Sequence, residues 1–372
     1  MELNIKHNDK LPKNLEALTS FRFIAALLVF IFHAGMLTEF QLGYLGVSFF
    51  FILSGFILSY NYERKLSNLN GVQLKRFYIA RISKIYPIHL LTFLLAIPYY
   101  FFIPLKHEPI LYVFQAITNV VLIHSFIPFG NISFNGVSWS LSNELFFYTM
   151  FPLLLFYSLK IIKNGLKTLV ILISLWLTMV FAYTFLLSNG NISTWFSYYF
   201  PVTRLFEFYV GIIAGLLFIR YSSKIEVKFS KFICTMLELL SIVSIIAIVQ
   251  FSVNIDQNLR YGLIFLPACT FLIFIFGIQK GLLSSFMSSK KLCYLGQISF
   301  SFYMIHNLVL SYIFYLWSPN INKSLLMGIC LILTIILSSI LFHFFEEPMR
   351  LRIRDYYSNK FTKRSQKHTK AI

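Results

Sequence analysis

Two ionisable side chains bracket the first apolar run of the chain: Arg22 and His33, with RFIAALLVFIFH between and including them. All ten intervening residues are apolar. On an α-helix eleven steps of about 100° come to roughly three turns plus 20°, so both groups lie on one face, about 16 Å apart along the axis. A guanidinium holds anions and an imidazole moves protons near neutral pH. Charges within an apolar span are costly and mark function by default. The pair therefore predicts one site approached from two sides of a membrane. The alternative is a boundary arginine that reaches back to the interface and a histidine bonded to a neighbouring helix.

Five further clusters carry chemistry. RFYIARISKIYP (76–87) puts Arg76, Arg81 and Lys84 before Pro87, a set suited to phosphate. A generic positive-inside loop explains the charge alone but not the one-turn spacing of Arg81 and Lys84. NGVSWSLSNELFFYTMFP (135–152) carries Trp139, Ser142, Glu144 and Tyr148, of which Trp139 and Tyr148 also fit an interfacial aromatic belt. FPVTRLFEFYVG (200–211) sets Arg204 and Glu207 three residues apart, close enough to pair. LGQISFSFYMIH (295–306) brings Ser299, Tyr303 and His306 onto nearby turns, and FFEEPMR (344–350) ends the last apolar run with Glu346 and Pro348.

The elements that position these residues are membrane helices. The 372 residues are 58% hydrophobic and only 12% charged, with a mean hydropathy of +0.72. A soluble domain has about twice that share of charge. Apolar segments lie at 20–38, 44–60, 86–104, 110–128, 140–158, 167–187, 201–219, 232–252, 261–278, 293–317 and 324–345. The net charge of +18 would point to nucleic acid in a soluble protein. Here the cations cluster between spans and mark loops that face anionic lipid, so no nucleic-acid partner is expected. Residues 61–85 carry six Lys or Arg and the stretch from Arg350 onward carries eight, whereas 38–44 and 188–200 carry none. With residues 61–85 inside, all basic loops fall on one face only if 110–128 does not cross. Gln115, Thr118, Asn119 and His124 in that segment suit a cavity better than lipid.

The expectation is an all-α polytopic membrane protein with about ten transmembrane helices, one re-entrant or extracytoplasmic helix (110–128) and both termini cytoplasmic. Residues 1–350 form one membrane domain and 351–372 a basic cytoplasmic tail. The polar, basic start MELNIKHNDKLPKN carries no expectation of a cleavable signal peptide. Cys234, Cys269, Cys293 and Cys330 show neither disulfide nor metal-site spacing, and no metal is expected. Sequons at Asn131 and Asn191 are treated as chance.

The ordered set of clusters resembles the acyltransferase-3 family of integral-membrane acyltransferases, which includes bacterial O-antigen and exopolysaccharide O-acetyltransferases. The resemblance covers about residues 15–350. Arg-x10-His is matched by Arg22 and His33, and a GxxFFxxSGF-like span by GVSFFFILSGFILS. Trp-Ser-Leu-x-x-Glu is matched by Trp139, Ser140, Leu141 and Glu144, and Arg-x-x-Glu-Phe by Arg204, Glu207 and Phe208. Ser-x-x-x-Tyr-x-x-His is matched by Ser299, Tyr303 and His306, and Glu-x-Pro by Glu346 and Pro348. The family's Arg-x-x-Arg departs here to Arg81 and Lys84, which keeps charge but loses a bidentate fork.

The resemblance implies transfer of an acyl group, most often acetyl, from cytoplasmic acyl-CoA to a hydroxyl of a cell-surface polysaccharide, in a bacterial inner membrane. Acetyl-CoA is then a co-substrate, with no bound cofactor. Arg22, Arg76, Arg81 and Lys84 would hold the donor. His33 would be general base or transient acyl carrier, with Glu144 orienting the ring. Trp139, Ser142, Arg204, Glu207, Ser299, Tyr303 and His306 would serve the acceptor side or support it. Glu346 and Pro348 would be structural. Membrane lipid, a saccharide acceptor and glycan-assembly machinery are the implied partners. The competing readings are a multi-pass secondary transporter with His33, Glu144 and His306 as a relay, and the same fold using succinyl or another acyl donor.

Overall fold

A computed structural model describes residues 14–102, 109–128, 130, 132–162, 165–188, 193–316 and 322–357. The sequons at 131 and 191, Pro104 and most of the basic tail lie outside the described residues. Among the described residues every regular element is helical. In chain order these are α1 (Glu16–His33), α2 (Leu42–Leu66), α3 (Gly71–Phe102), α4 (Pro109–Val120), α5 (Trp139–Ile161), α6 (Gly165–Ser188) and α7 (Pro201–Lys228). They continue with α8 (Lys231–Ser252), the short α9 (Gln257–Arg260), α10 (Leu266–Ile278), the short α11 (Leu282–Met287), α12 (Lys290–Leu316) and α13 (Lys323–Leu341). A five-residue π-turn, Phe342–Glu346, follows α13.

Eight of these helices are long and apolar enough to cross a membrane: α1, α2, α3, α6, α7, α8, α12 and α13. That count is two below the expected ten. α5, at 23 residues, is long enough to cross but is not counted among them. α10 has only 13, shorter than the roughly 20 that a bilayer core needs. Burial sorts centre from rim: the apolar window of α2 is 78% buried, that of α6 only 6%. An apolar helix that is mostly uncovered faces lipid; one that is covered on all sides is core.

Close backbone approach defines the centre. A Cβ at Gly55 would strike the Phe208 carbonyl and one at Gly211 the Ile52 carbonyl, so α2 and α7 pack without intervening side chains. Ser48 lies beside Glu207 and Ser59 beside Gly215, so the two helices run parallel. α1 and α12 also run parallel. Gly296 sits against the Thr19 carbonyl, Phe23 and Phe302 meet at 5.4 Å, and His33 meets His306.

α3 and α5 are antiparallel neighbours, with Phe77 stacked on Phe151 at 5.3 Å and Tyr78 Oη donating to the Thr149 carbonyl. The end of α3 and the start of α5 therefore share one side of the bundle. α4 dips inward instead. Tyr100 Oη donates to Gln115 Oε1 midway along it, and His89 Nε2 donates to the Asn119 carbonyl near its end. Asn119 Nδ2 then reaches the Ser133 carbonyl, and His124 Nε2 lies 3.2 Å from Ser138 Oγ. Gln115, Thr118, Asn119 and His124 are all buried, and each makes at least one hydrogen bond to a described residue.

A candidate two-ended active site

The first cluster is cationic. A cavity of about 110 Å³ is lined by the charged and phenolic groups of Arg22, Arg81, Lys84, Glu144 and Tyr148, together with Ser140 and Tyr303. Arg22 comes from the second turn of α1, Arg81 and Lys84 from α3, and Glu144 from α5. Tyr148 Oη donates to Glu144 Oε2 at 2.9 Å, one turn along the same helix. The Arg81 guanidinium lies over the rings of Tyr62 and Tyr148, 5.7 and 5.9 Å from their centroids. These faces hold its plane while leaving its N–H groups for an anion. Glu346 is buried beside this cluster. It accepts from Ser301 Oγ at 2.5 Å and interacts electrostatically with Arg22 and Lys84.

Several expectations change here. Pro87 does not open α3. The helix starts at Gly71, so Arg81 and Lys84 stand about 15 and 20 Å along it, inside the bundle. Pro87 is accommodated in the helix interior, as happens in membrane helices whose neighbours satisfy freed backbone groups. Arg76 is exposed and does not line the cavity. Five residues before Arg81, it stands about 140° around the helix from that side chain and so points off the face that Arg81 and Lys84 share. Glu144, expected behind the His33 ring, belongs to the cation cluster. Glu346, expected to be structural, is a second carboxylate beside the same cations; Pro348 is half-buried and takes no part.

The second cluster is a pair of imidazoles. α1 ends at His33, not at residue 38, because Gly35 takes a positive φ of 68° and the chain turns into a short 3-10 segment. His33 is therefore the last helical residue, exposed at the helix end. Its Nδ1 lies 2.9 Å from Nε2 of the fully buried His306. His306 Nδ1 lies 2.6 Å from the Tyr303 carbonyl. The Tyr303 hydroxyl meets Ser140 Oγ at 2.8 Å, on the cavity wall. Tyr303 thus touches the cavity through its hydroxyl and the histidine pair through its backbone.

The remaining expected residues are interior. Arg204 and Glu207 pair at 3.0 Å, with side chains 3% and 4% exposed. Arg204 also bonds the Tyr261 carbonyl and Ser48 Oγ, and Ser48 Oγ donates to Glu207 Oε1 at 3.1 Å. The guanidinium lies over the rings of Phe51 and Tyr198, 5.2 Å from each centroid. This pair does not line the cationic cavity; it ties α2, α7 and the turn before α10 together. Trp139 is buried against Tyr198 and Tyr199, so it is no belt residue. Ser142 Oγ lies 2.6 Å from Ser125 Oγ, anchoring the loop before α5, and Ser299 Oγ donates to its own helix at Gly296. Sequence reasoning missed Tyr148 as a partner of Glu144, and Ser48 and Tyr261 as partners of the ion pair. The signal for the first was the four-residue spacing of Glu144 and Tyr148; for the others, non-local in sequence, there was none.

No group of three or more His, Cys, Asp or Glu side chains suited to a metal occurs among the described residues. Cations and carboxylates at one end and a proton-accepting ring at the other suit transfer from an anionic carrier to a hydroxyl. A family model described as an acyltransferase domain matches residues 15–343. The chain belongs to this acyltransferase family. It is 32% identical over 228 residues to the acyltransferase MdmB of Streptomyces mycarofaciens, covering 55% of this chain and 57% of that one. It is 25% identical over 355 residues to the peptidoglycan O-acetyltransferase OatA of Listeria monocytogenes, covering 91% of this chain and 56% of that protein. The chain thus spans a little over half the length of these relatives. No solved structure matches it. In this acyltransferase the late Tyr and His of the family pattern, Tyr303 and His306, link the two clusters.

Proposed function

We propose that this acyltransferase is a bacterial inner-membrane O-acetyltransferase. It takes acetyl from cytoplasmic acetyl-CoA and passes it to a hydroxyl of a cell-surface saccharide delivered from the opposite face. Support comes from the membrane helices, the family, and a relative whose name specifies O-acetylation of peptidoglycan. O-antigen or exopolysaccharide are acceptors of the same chemical class.

The observation that carries the reading is the division of labour along α1. Arg22 lines the cationic cavity and His33, about 16 Å further along the same helix, ends in the histidine pair. Arg22, Arg81 and Lys84 hold anionic groups of the donor, and Glu144 and Glu346 offset the cations when the site is empty. The pantetheine arm follows the cavity past Ser140 and Tyr303. His33 accepts the acceptor's hydroxyl proton as the oxygen attacks the thioester carbonyl. The C–S bond breaks, and the proton passes to the departing thiolate, which leaves as CoA thiol. With both termini cytoplasmic, the described basic loops face the donor's compartment, and glycan-assembly enzymes on the other face supply the acceptor.

Purified protein in liposomes with acetyl-labelled acetyl-CoA and cell-wall fragments tests the reading. Thiol release coupled to label on the fragments is the expected result. Movement of label across the membrane with the thioester intact would favour a transporter and overturn it.

A further inference from the structure

Resting on that reading, we infer that His306 is a positioning residue that fixes the tautomer of His33 and takes the place a carboxylate holds in a triad. The chain of bonds leaves little freedom. The Tyr303 carbonyl can only accept, so the His306 nitrogen 2.6 Å from it, Nδ1, carries a hydrogen. A neutral imidazole has one N–H, so His306 Nε2 holds a lone pair. That lone pair faces His33 Nδ1 at 2.9 Å, and His33 Nδ1 must donate. The only lone pair left on the His33 ring is at Nε2, which is the atom that takes the acceptor proton.

Three features make this an orienting device rather than incidental packing. His306 is fully buried and lies nearly parallel to the Phe302 ring, at an interplanar angle of 11°, which holds its plane, while the Tyr303 carbonyl and His33 engage its two nitrogens in the orientation observed. The carbonyl that fixes it belongs to α12 itself, three residues back, so the lock forms with the helix. The carboxylate expected for this task, Glu144, is committed to Tyr148 and the cation cluster. When His33 is protonated, both its nitrogens carry hydrogens, and the His306 lone pair still accepts from Nδ1. A neutral partner stabilises the imidazolium less than a carboxylate would, so the proton is passed on to the thiolate more readily. The same arrangement argues against an acceptor-binding role for His306, since both of its nitrogens are occupied by protein groups.

The test is nitrogen NMR of histidine-labelled full-length protein in liposomes, with the His33 signals assigned by their disappearance in His33→Gln. At pH 7 the expected wild-type spectrum shows His33 protonated at Nδ1 and bare at Nε2. An Nε2–H tautomer, or an equal mixture, overturns the proposal without any variant being made. His306→Leu is expected to let the His33 tautomer mix and to lower kcat about 100-fold, with KM for acetyl-CoA unchanged. His306→Gln keeps an acceptor oxygen for His33 Nδ1 and is expected to restore the Nδ1–H tautomer and much of kcat. A His33 tautomer unmoved in His306→Leu, or a loss in His306→Gln as deep as in His306→Leu, overturns it. The spectrum does not depend on turnover. A wild-type protein with the expected tautomer but no thiol release from acetyl-CoA would sink the functional reading and leave the tautomer lock standing.

Discussion

Replacing His33 with alanine removes the ring that meets the acceptor hydroxyl while leaving the apolar face of α1 intact. Transfer should fall by at least about 100-fold with membrane insertion and protein level unchanged, measured as label on glycan per mole of purified protein. Unreduced transfer would take His33 out of the chemistry. At the donor end the sign of charge matters more than its shape. Lys84→Arg should keep or lower KM for acetyl-CoA, since it restores a bidentate fork. Lys84→Glu should raise KM about tenfold or more, the effect of roughly 1.4 kcal/mol less attraction. Equal KM in all three would exclude Lys84 from donor binding. Arg204 and Glu207 behave differently because both are shut away from any substrate. Arg204→Leu strands a buried carboxylate and should cost about 3–5 kcal/mol, read as a fall in thermal stability in detergent. The double change to Leu at 204 and Gln at 207 should cost less than Arg204→Leu alone. At this scale the sequence singled out His33 and Lys84 and the pairing of Arg204 with Glu207 that the structure contains, because rare ionisable groups in apolar runs are easily weighed. It misassigned Glu144, because which of several cations or rings a lone carboxylate faces depends on how helices cross.

Two helix pairings set the site. α1 and α12 run side by side, and Gly296 against the Thr19 carbonyl lets them approach closely enough for His33 to reach His306. Gly296→Val should force the helices apart where no flexible side chain can yield. The expected outcome is a fall in kcat with a smaller fall in stability, and a His33 ring whose nitrogen spectrum shows both tautomers once Nδ1 no longer reaches His306. Unchanged kcat would show that this approach does not position the rings. α3 and α5 set the donor end, with Arg81 and Lys84 on one helix facing Glu144 and Tyr148 on the other. Helix existence was legible from apolar run length, and the direction of α4 from its polar content. Boundaries were not: α3 begins fifteen residues before its apolar segment, because its basic first turns are amphipathic and carry no hydropathy signal. α10 is cut to 13 residues because residues 261–265 turn back to meet Arg204 through the Tyr261 carbonyl.

For the whole molecule, the alternation of basic and uncharged loops carried the topological expectation that 110–128 does not cross. The contacts of α3 with α5 bring the end of α3 and the start of α5 to one side of the bundle, and α4 has 12 residues, fewer than a bilayer core needs. What no pattern could disclose was the depth of the chemistry: the imidazoles stand at the end of α1, with Tyr312 tying the outer turns of α12 to α3 beyond them. The central claim is that the two ends of α1 serve two compartments. Single cysteines at Arg76 and at Thr38, both exposed, in a protein whose four native cysteines are replaced by serine, can be labelled in sealed vesicles with a membrane-impermeant maleimide. Labelling of one position only from outside the vesicle and of the other only after permeabilisation is the predicted result; labelling of both from the same side would contradict it.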